Sequence, residues 1–180
     1  MSGLTIAGSG LTLVDPSSGG AAISSYQGYY GSFYSIVDQT DGGVTGTAMA
    51  AEVTAEATGV SMAANGSGVK NRLTFTNAGT YNIQFSAQLH NTGGGGAGTS
   101  VDIWFRLNGT NIANSNTKCT VNTNNPYYVA AWNFIQTVAA NDYIEIVWLT
   151  DNANIVLEYD AAVSPHPETP SVIITAQQIR

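Results

Sequence analysis

The sequence predicts an all-β protein, built as a β-sandwich or jelly roll. Segments with apolar residues at or near every second position recur between residues 73 and 149, which is the pattern of half-buried strands. Turn-forming clusters separate these segments at spacings of about 8–12 residues, as is typical of sandwiches and jelly rolls. No segment has a good helix signal, and the abundant Asn, Thr, Ser and Gly are poor helix formers.

The first 25 residues differ in composition from the rest of the chain. They contain two short apolar runs, residues 4–6 and 11–14, separated by AGSG and followed by DPSSGGAA. Neither run is long enough to bury a core. Two interpretations remain open: a flexible leader, or an arm that adds strands to the sheet edge of a neighbouring subunit. We therefore divide the chain into an N-terminal arm or anchor, residues 1–25, and one jelly-roll domain, residues 26–180.

The domain begins with QGYYGSFYSIVDQT, which predicts an aromatic-rich strand that ends at the turn Asp41-Gly42-Gly43. The next segment, residues 48–62, is rich in alanine and has helical propensity. However, valine, threonine and glycine recur in it, and no helix cap is obvious. We predict that residues 48–62 are extended or form a loop.

The strongest strand signal lies in residues 80–89, which follow a first strand at residues 73–76 and the turn Asn77-Ala78-Gly79. The alternation has no fault in this segment, so one face is predicted to be buried and the other exposed. The apolar face holds Tyr81, Ile83, Phe85, Ala87 and Leu89, and the polar face holds Asn82, Gln84, Ser86 and Gln88.

Further strands and turns follow towards the C-terminus. Residues 127–138 and 143–149 are predicted to form a hairpin around residues 139–142. Asn108-Gly109, after a strand at residues 101–107, is a strong two-residue hairpin signal. The other segments are a mobile loop with four consecutive glycines at residues 90–100, a turn cluster at 122–126, a strand at 155–159, a stiff extended SPHPETP at 164–170, and a final strand at 171–179.

The charge of the chain excludes several classes of partner. Only 9% of the residues are charged, and the formal net charge is −7. A nucleic-acid-binding protein needs a basic stripe for phosphates, and none is present, so we expect no nucleic-acid partner and no anionic membrane surface. No run of about 18 apolar residues exists, so no membrane-spanning helix is predicted. Low Lys and Glu content suits a surface that packs against other subunits.

The N-terminus and the single cysteine indicate a cytoplasmic origin. The segment MSGLTIAGSGLTLV lacks a basic region and a continuous apolar region, so it does not resemble a signal peptide. Cys119 is the only cysteine, so no intrachain disulfide is predicted, and a buried inert thiol is expected. The simplest inference is a protein made and folded in a cytoplasm.

The sequence contains no recognisable catalytic motif. His90 and His166 are each alone in sequence, without a partner at metal-ligand spacing, and both are expected in solvated loops. We therefore predict no catalytic residue, no metal ligand and no cofactor, with calcium at a loop or subunit axis as an open alternative. A glycosidase needs two carboxylates facing a cleft, which sequence alone does not place together. The candidate acids are Asp142, Glu145, Asp151, Glu158 and Asp160.

The aromatic residues favour packing over ligand binding. Trp104, Trp132 and Trp148 lie within predicted strands, where core or subunit packing is expected. Tyr127 and Tyr128 lie beside a turn, so two interpretations are open for them: packing at an edge, or a loop contact that stacks on a sugar.

Four segments that contain predicted strands resemble the jelly roll of the tumour necrosis factor and complement globular-head superfamily. They are NAGTYNIQFSAQL, DIWFRLNGTNIANSN, WNFIQTVAANDYIEIVW and PSVIITAQQI, with Asn141-Asp142 at the place of a Gly-Asp-like turn. Together with YGSFYS, these segments are still more similar to modules found in bacteriophage virion proteins. The resemblance covers residues 30–179.

The resemblance implies a homotrimer in which one sheet of each subunit packs around a three-fold axis. It places Asn82 and Gln84 near that axis, so the implied interface is polar and hydrogen-bonded. We expect a phage head decoration protein that forms trimers on the virion surface after synthesis in the host cytoplasm. Its partners would be the major capsid protein or other virion proteins. The alternatives are a tail-fibre tip or receptor-binding module that recognises a host glycan, and, third, a polysaccharide hydrolase.

Overall fold

The computed structural model describes residues 5–7, 10–12, 28–41, 43–93, 98–122 and 126–180. These residues form strands and no helix, so the prediction of an all-β protein is confirmed. None of them forms a helix long and apolar enough to cross a membrane. The strands are β1 (Thr5–Ala7), β2 (Gly10–Thr12), β3 (Tyr30–Ser35), β4 (Gln39–Thr40), β5 (Thr47–Ala48), β6 (Val53–Thr58), β7 (Val60–Ala64), β8 (Lys70–Phe75), β9 (Gly79–Asn91), β10 (Thr99–Leu107), β11 (Thr110–Asn111), β12 (Thr117–Val121), β13 (Tyr127–Val138), β14 (Tyr143–Thr150), β15 (Ile155–Leu157) and β16 (Val172–Gln178).

Two antiparallel sheets pack face to face around one core. Sheet I has the order β11-β10-β14-β8-β7, with β12 beside β10 and β5 beside β14. Sheet II has the order β4-β15-β9-β16-β3-β6, with β13 on the other side of β9. From β8 onwards the chain passes repeatedly between the two sheets, as a jelly roll requires.

The core follows the alternation that the sequence predicts. All five apolar residues from Tyr81 to Leu89 are buried, and the residues between them are half-buried or exposed. Aromatic rings join the two sheets at Phe105 of β10. The centroid of the Phe105 ring is 4.6 Å from the ring centroid of Phe134 and 6.1 Å from that of Phe85, and both of these residues belong to sheet II. Phe105 therefore lies at the centre of the sandwich.

The predicted hairpin of residues 127–149 is wrong. β13 pairs with β9 along all of its twelve residues, whereas β14 pairs with β10, β8 and β5 in the opposite sheet. The connection between them crosses from one sheet to the other, with Asn141 at φ 68° and the Asp142 carboxylate accepting a hydrogen bond from the Ala139 amide at 2.7 Å. Alternation identifies two strands and a turn, but it does not say whether the turn joins neighbours or crosses the core.

Two other local predictions need correction. Residues 164–170 are not extended: Val163 bridges His166 and Asp160 bridges Thr169, so the segment turns back on itself. Likewise, the ends of the predicted glycine loop at residues 90–100 belong to β9 and β10. The glycines at 94–96 lie outside the described residues, as do residues 123–125 of the predicted turn cluster and most of residues 1–25.

Two local predictions are confirmed. Residues 48–62 are extended, since β6 and β7 occupy most of that segment. Asn108-Gly109 forms the turn between β10 and β11, with positive φ at both residues (51° and 80°), and Leu107 pairs with Thr110. Positive φ at both central positions is the geometry that favours Asn-Gly in a tight hairpin.

Candidate assembly face

The outward surface of sheet II is a broad, nearly uncharged sheet face. We call the outward side chains of β13, β9, β16 and β3 the assembly face. They are aligned in cross-strand rows, because these four strands pair in register. The rows are Ile135–Asn82–Gln177–Tyr30, then Asn133–Gln84–Thr175–Ser32, then Ala131–Ser86–Ile173–Tyr34, and then Val129–Gln88.

The assembly face combines amides and hydroxyls with exposed apolar residues. Asn133 Nδ2 donates a hydrogen bond to Asn82 Oδ1 at 3.2 Å, so the amides already form part of a network. Ile135 is 56% exposed and Val129 is 54% exposed. Within these rows there is no lysine or arginine, and one neighbouring charge is Glu56 on β6, opposite Ser32. Depletion of charge with exposed apolar side chains is the composition of a buried interface centre.

The assembly face continues onto an open sheet edge. Among the residues that the structure describes, β13 pairs with β9 alone, so it is an edge strand of sheet II. It is twelve residues long and contains no charged residue and no proline. Trp132 and Phe134 of β13 pack against the core but are only half-buried. Long, uncharged edge strands favour pairing with other chains unless something covers them, so this edge is a candidate interface.

The sequence-predicted interface residues lie on this face. Asn82 and Gln84 are on β9 near the middle of the sheet, where Asn82 is half-buried and Gln84 is exposed. Tyr127 and Tyr128 are exposed, but they begin β13 rather than lying in a loop. The sequence analysis did not identify Val129 and Ile135 as interface residues. The alternation of residues 127–138 places them on one face of the strand, but it does not show that this face points outward.

His90 belongs to a side-chain cluster at one end of the assembly face, and its prediction as a solvated loop residue is wrong. His90 lies in β9 and is half-buried, with Nδ1 2.7 Å from Glu158 Oε1. Its ring stacks on that of Tyr127, with centroids 4.3 Å apart and an angle of 16° between the planes. Because Glu158 is distant in sequence, only the sheet pairing brings it to His90. The other histidine, His166, is exposed as expected.

The candidate acids are distributed over both sheets. Asp142 binds the Asn108 side chain at 2.7 Å, and Glu145 is buried beside Arg72 at 3.4 Å. Asp151 lines a groove of 760 Å³ on the outer side of sheet I, together with Asp41 and Asp102. The Asp41 carboxylate accepts bonds from the Thr150 and Gly43 amides and the Thr47 hydroxyl. Among the described residues, no three His, Cys, Asp or Glu side chains come together as metal ligands.

Trp148, Trp132 and the cysteine pack against the core as the sequence predicts, whereas Trp104 lies on the outward side of sheet I and donates a hydrogen bond to Asn111 at 2.8 Å. Trp148 is fully buried, and Trp104 and Trp132 are half-buried within their strands. Cys119 is buried on β12, facing the core. Burial, with a smaller contribution from the negative charge of Asp102, raises the pKa of the Cys119 thiol from 9.0 to about 11.

Cys119 is therefore expected to react slowly with a thiol reagent in the folded protein. At pH 8 a pKa near 11 leaves about one-hundredth of the thiolate that a pKa of 9.0 provides, and only the thiolate attacks. We expect reaction with a chromogenic disulfide reagent to be about a hundredfold slower in the native protein than in concentrated urea. Equal rates in the two states would contradict the burial of this thiol.

The two packed sheets and the crossing connections define the tumour-necrosis-factor-like jelly roll. The crystal structure of murine APRIL is one similar solved structure, with a TM-score of 0.50 and 10% sequence identity over 85% of this chain and 100% of that one. At this identity the likeness is one of fold alone. No family model and no curated protein matches the sequence.

Proposed function

We propose that this protein is a structural component of a bacteriophage particle, a head decoration protein that forms trimers through the assembly face. The observation that carries the proposal is this broad face of amide, hydroxyl and apolar side chains. It lacks lysine and arginine in its rows and is continuous with an uncharged edge strand. Exposure of these apolar side chains and of the unpaired edge strand to water is unfavourable. Few charged groups would have to lose their water on burial, so the surface favours packing against other copies.

A polar interface is compatible with tight association here. Each amide on the face has a donor and an acceptor that need partners once water is excluded. Within one subunit, Asn133 and Asn82 already bond each other, as do the hydroxyls of Thr80 and Thr137 at 2.9 Å. Asn82 and Gln84 would then meet their counterparts from other copies, while Ile135 and Val129 bury apolar area.

The phage context comes from the resemblance of the strand segments to virion modules. On this proposal the protein lies on the virion surface, with the major capsid protein or other virion proteins as partners. In this proposal residues 1–25 anchor the trimer. The role is structural and not enzymatic, and it needs no cofactor.

One observation favours a second candidate, a tail-fibre tip or receptor-binding module for a host glycan. Tyr127 is 58% exposed, and His90 covers one face of its ring, so the other face is a rigid platform on which a sugar ring could stack. Tyr128 is also exposed, but as the next residue of the same strand it points to the opposite face and does not extend this platform. Binding of the isolated protein to a glycan array, lost on Tyr127→Ala, would favour this candidate over the decoration protein.

The oligomeric state tests the proposed function. We expect the full chain at micromolar concentration to sediment with three times the 18.7 kDa mass of one chain. Sedimentation velocity and light scattering measure this directly. A species of 18.7 kDa at every concentration would contradict the assembly proposal.

A further inference from the structure

We infer that association through the assembly face takes up protons at His90, so that the oligomer is tighter under mildly acidic than under mildly alkaline conditions. The inference rests on the proposed function, since it concerns the regulation of the same surface. It is carried by the geometry of His90, Glu158 and Tyr127 at the end of that surface.

His90 faces the same side as the central residues of the assembly face. It continues the alternation of Asn82, Gln84, Ser86 and Gln88 along β9. The Glu158 amide donates to the Gln88 carbonyl at 2.8 Å, and this bond places the Glu158 carboxylate beside the His90 ring. The side chains of His90 and Glu158 are 17% and 21% exposed, so a neighbouring copy would remove much of their remaining water.

The groups that face His90 come from the strands and segments packed against β9. From β13, the group facing His90 is the Tyr127 ring, and from the segment after β15 it is the Glu158 carboxylate. The other side chains of the same row are Val156 on β15 and Thr40 on β4, neither of which ionises. Two further acids bond Tyr159, the residue after Glu158: Asp38 accepts a hydrogen bond from its amide at 2.8 Å, and Glu168 accepts one from its hydroxyl at 3.0 Å.

The sign of the effect follows from the charge of the pair. With a neutral imidazole, the pair carries one negative charge; with a protonated imidazole, it carries none. If a neighbouring copy covers the pair, association removes water from it, which opposes the form with a net negative charge more than the neutral ion pair. A complex that favours the protonated form binds protons as it forms, and its stability therefore rises as pH falls. Histidine is the side chain that changes charge between about pH 5 and 8.

The experiment measures the dissociation constant of the oligomer by sedimentation at about pH 6 and about pH 8, the interval in which histidine titrates. We expect the constant of the unchanged protein to be at least about fivefold lower at the acidic pH, the lower end of ordinary coupling between two sites. His90→Gln keeps a hydrogen-bonding group but cannot titrate, so its constant should not depend on pH. Glu158→Gln should invert the dependence, because protonation then places an unpaired positive charge in the interface.

His166→Gln is the matched control, because it removes the only other histidine, which is exposed on a turn distant from β9 in sequence. It should keep the pH dependence of the unchanged protein. Circular dichroism at both pH values verifies that each variant is folded. An oligomer whose constant does not change with pH, or a His90→Gln variant that keeps the dependence, would overturn the inference alone. A monomer at both pH values would overturn the proposed function itself.

Discussion

Replacing Gln84 by lysine is expected to dissociate the oligomer and leave the subunit folded. Gln84 is exposed at the middle of the assembly face, between Asn133 on β13 and Thr175 on β16. In an assembly through this face, the new ammonium groups would be buried without an acid directly beside them. An unpaired buried charge costs about 2–5 kcal/mol, which corresponds to a loss of association of about thirtyfold to several thousandfold.

The matched control is Ser61→Lys on β7, an exposed strand position on the outward side of sheet I. It adds the same charge to the same kind of backbone, so it should leave the oligomer intact. Sedimentation of both variants at one concentration separates the two cases. If Gln84→Lys stays oligomeric, the copies associate through another surface, and the assembly face is not an interface.

Replacing Phe105 by alanine is expected to cause the largest loss of subunit stability. Phe105 is fully buried, and its ring contacts Phe85 and Phe134 across the two sheets. Truncation of a buried phenylalanine removes its transfer free energy and leaves a cavity, at a cost of about 3–5 kcal/mol. Urea unfolding measures this cost as a lower transition midpoint with an unchanged slope.

Phe134→Ala provides the comparison, because Phe134 stacks on the same ring but is half-buried at the open edge. Its free energy of unfolding should fall by clearly less than that of Phe105→Ala. Both variants are best measured in the Gln84→Lys background, where association does not add to apparent stability. A larger loss for Phe134→Ala would show that the core is centred nearer to β13 than the structure indicates.

Sequence periodicity predicted the candidate site only in part. The polar face of β9, with Asn82 and Gln84, was predicted because alternation separates the two faces of a strand before any partner is known. Their neighbours in the cross-strand rows, Ile135 and Thr175, were not predicted, because the register between strands depends on which segments pair. The association of His90 with Glu158 was missed for the same reason: they meet through the pairing of β9 with β15.

By itself, the sequence determined the all-β class, the faces of the long strands and the Asn108-Gly109 turn. These depend on short-range chemistry: side-chain alternation with period two, and the positive φ that Asn-Gly accepts. Only the tertiary structure decided that β13 pairs with β9 instead of with β14, and that His90 has a carboxylate partner. Those contacts form when two sheets bury their apolar faces against each other. Which strands become partners then depends on how well the whole surfaces fit, and a short sequence pattern does not contain that information.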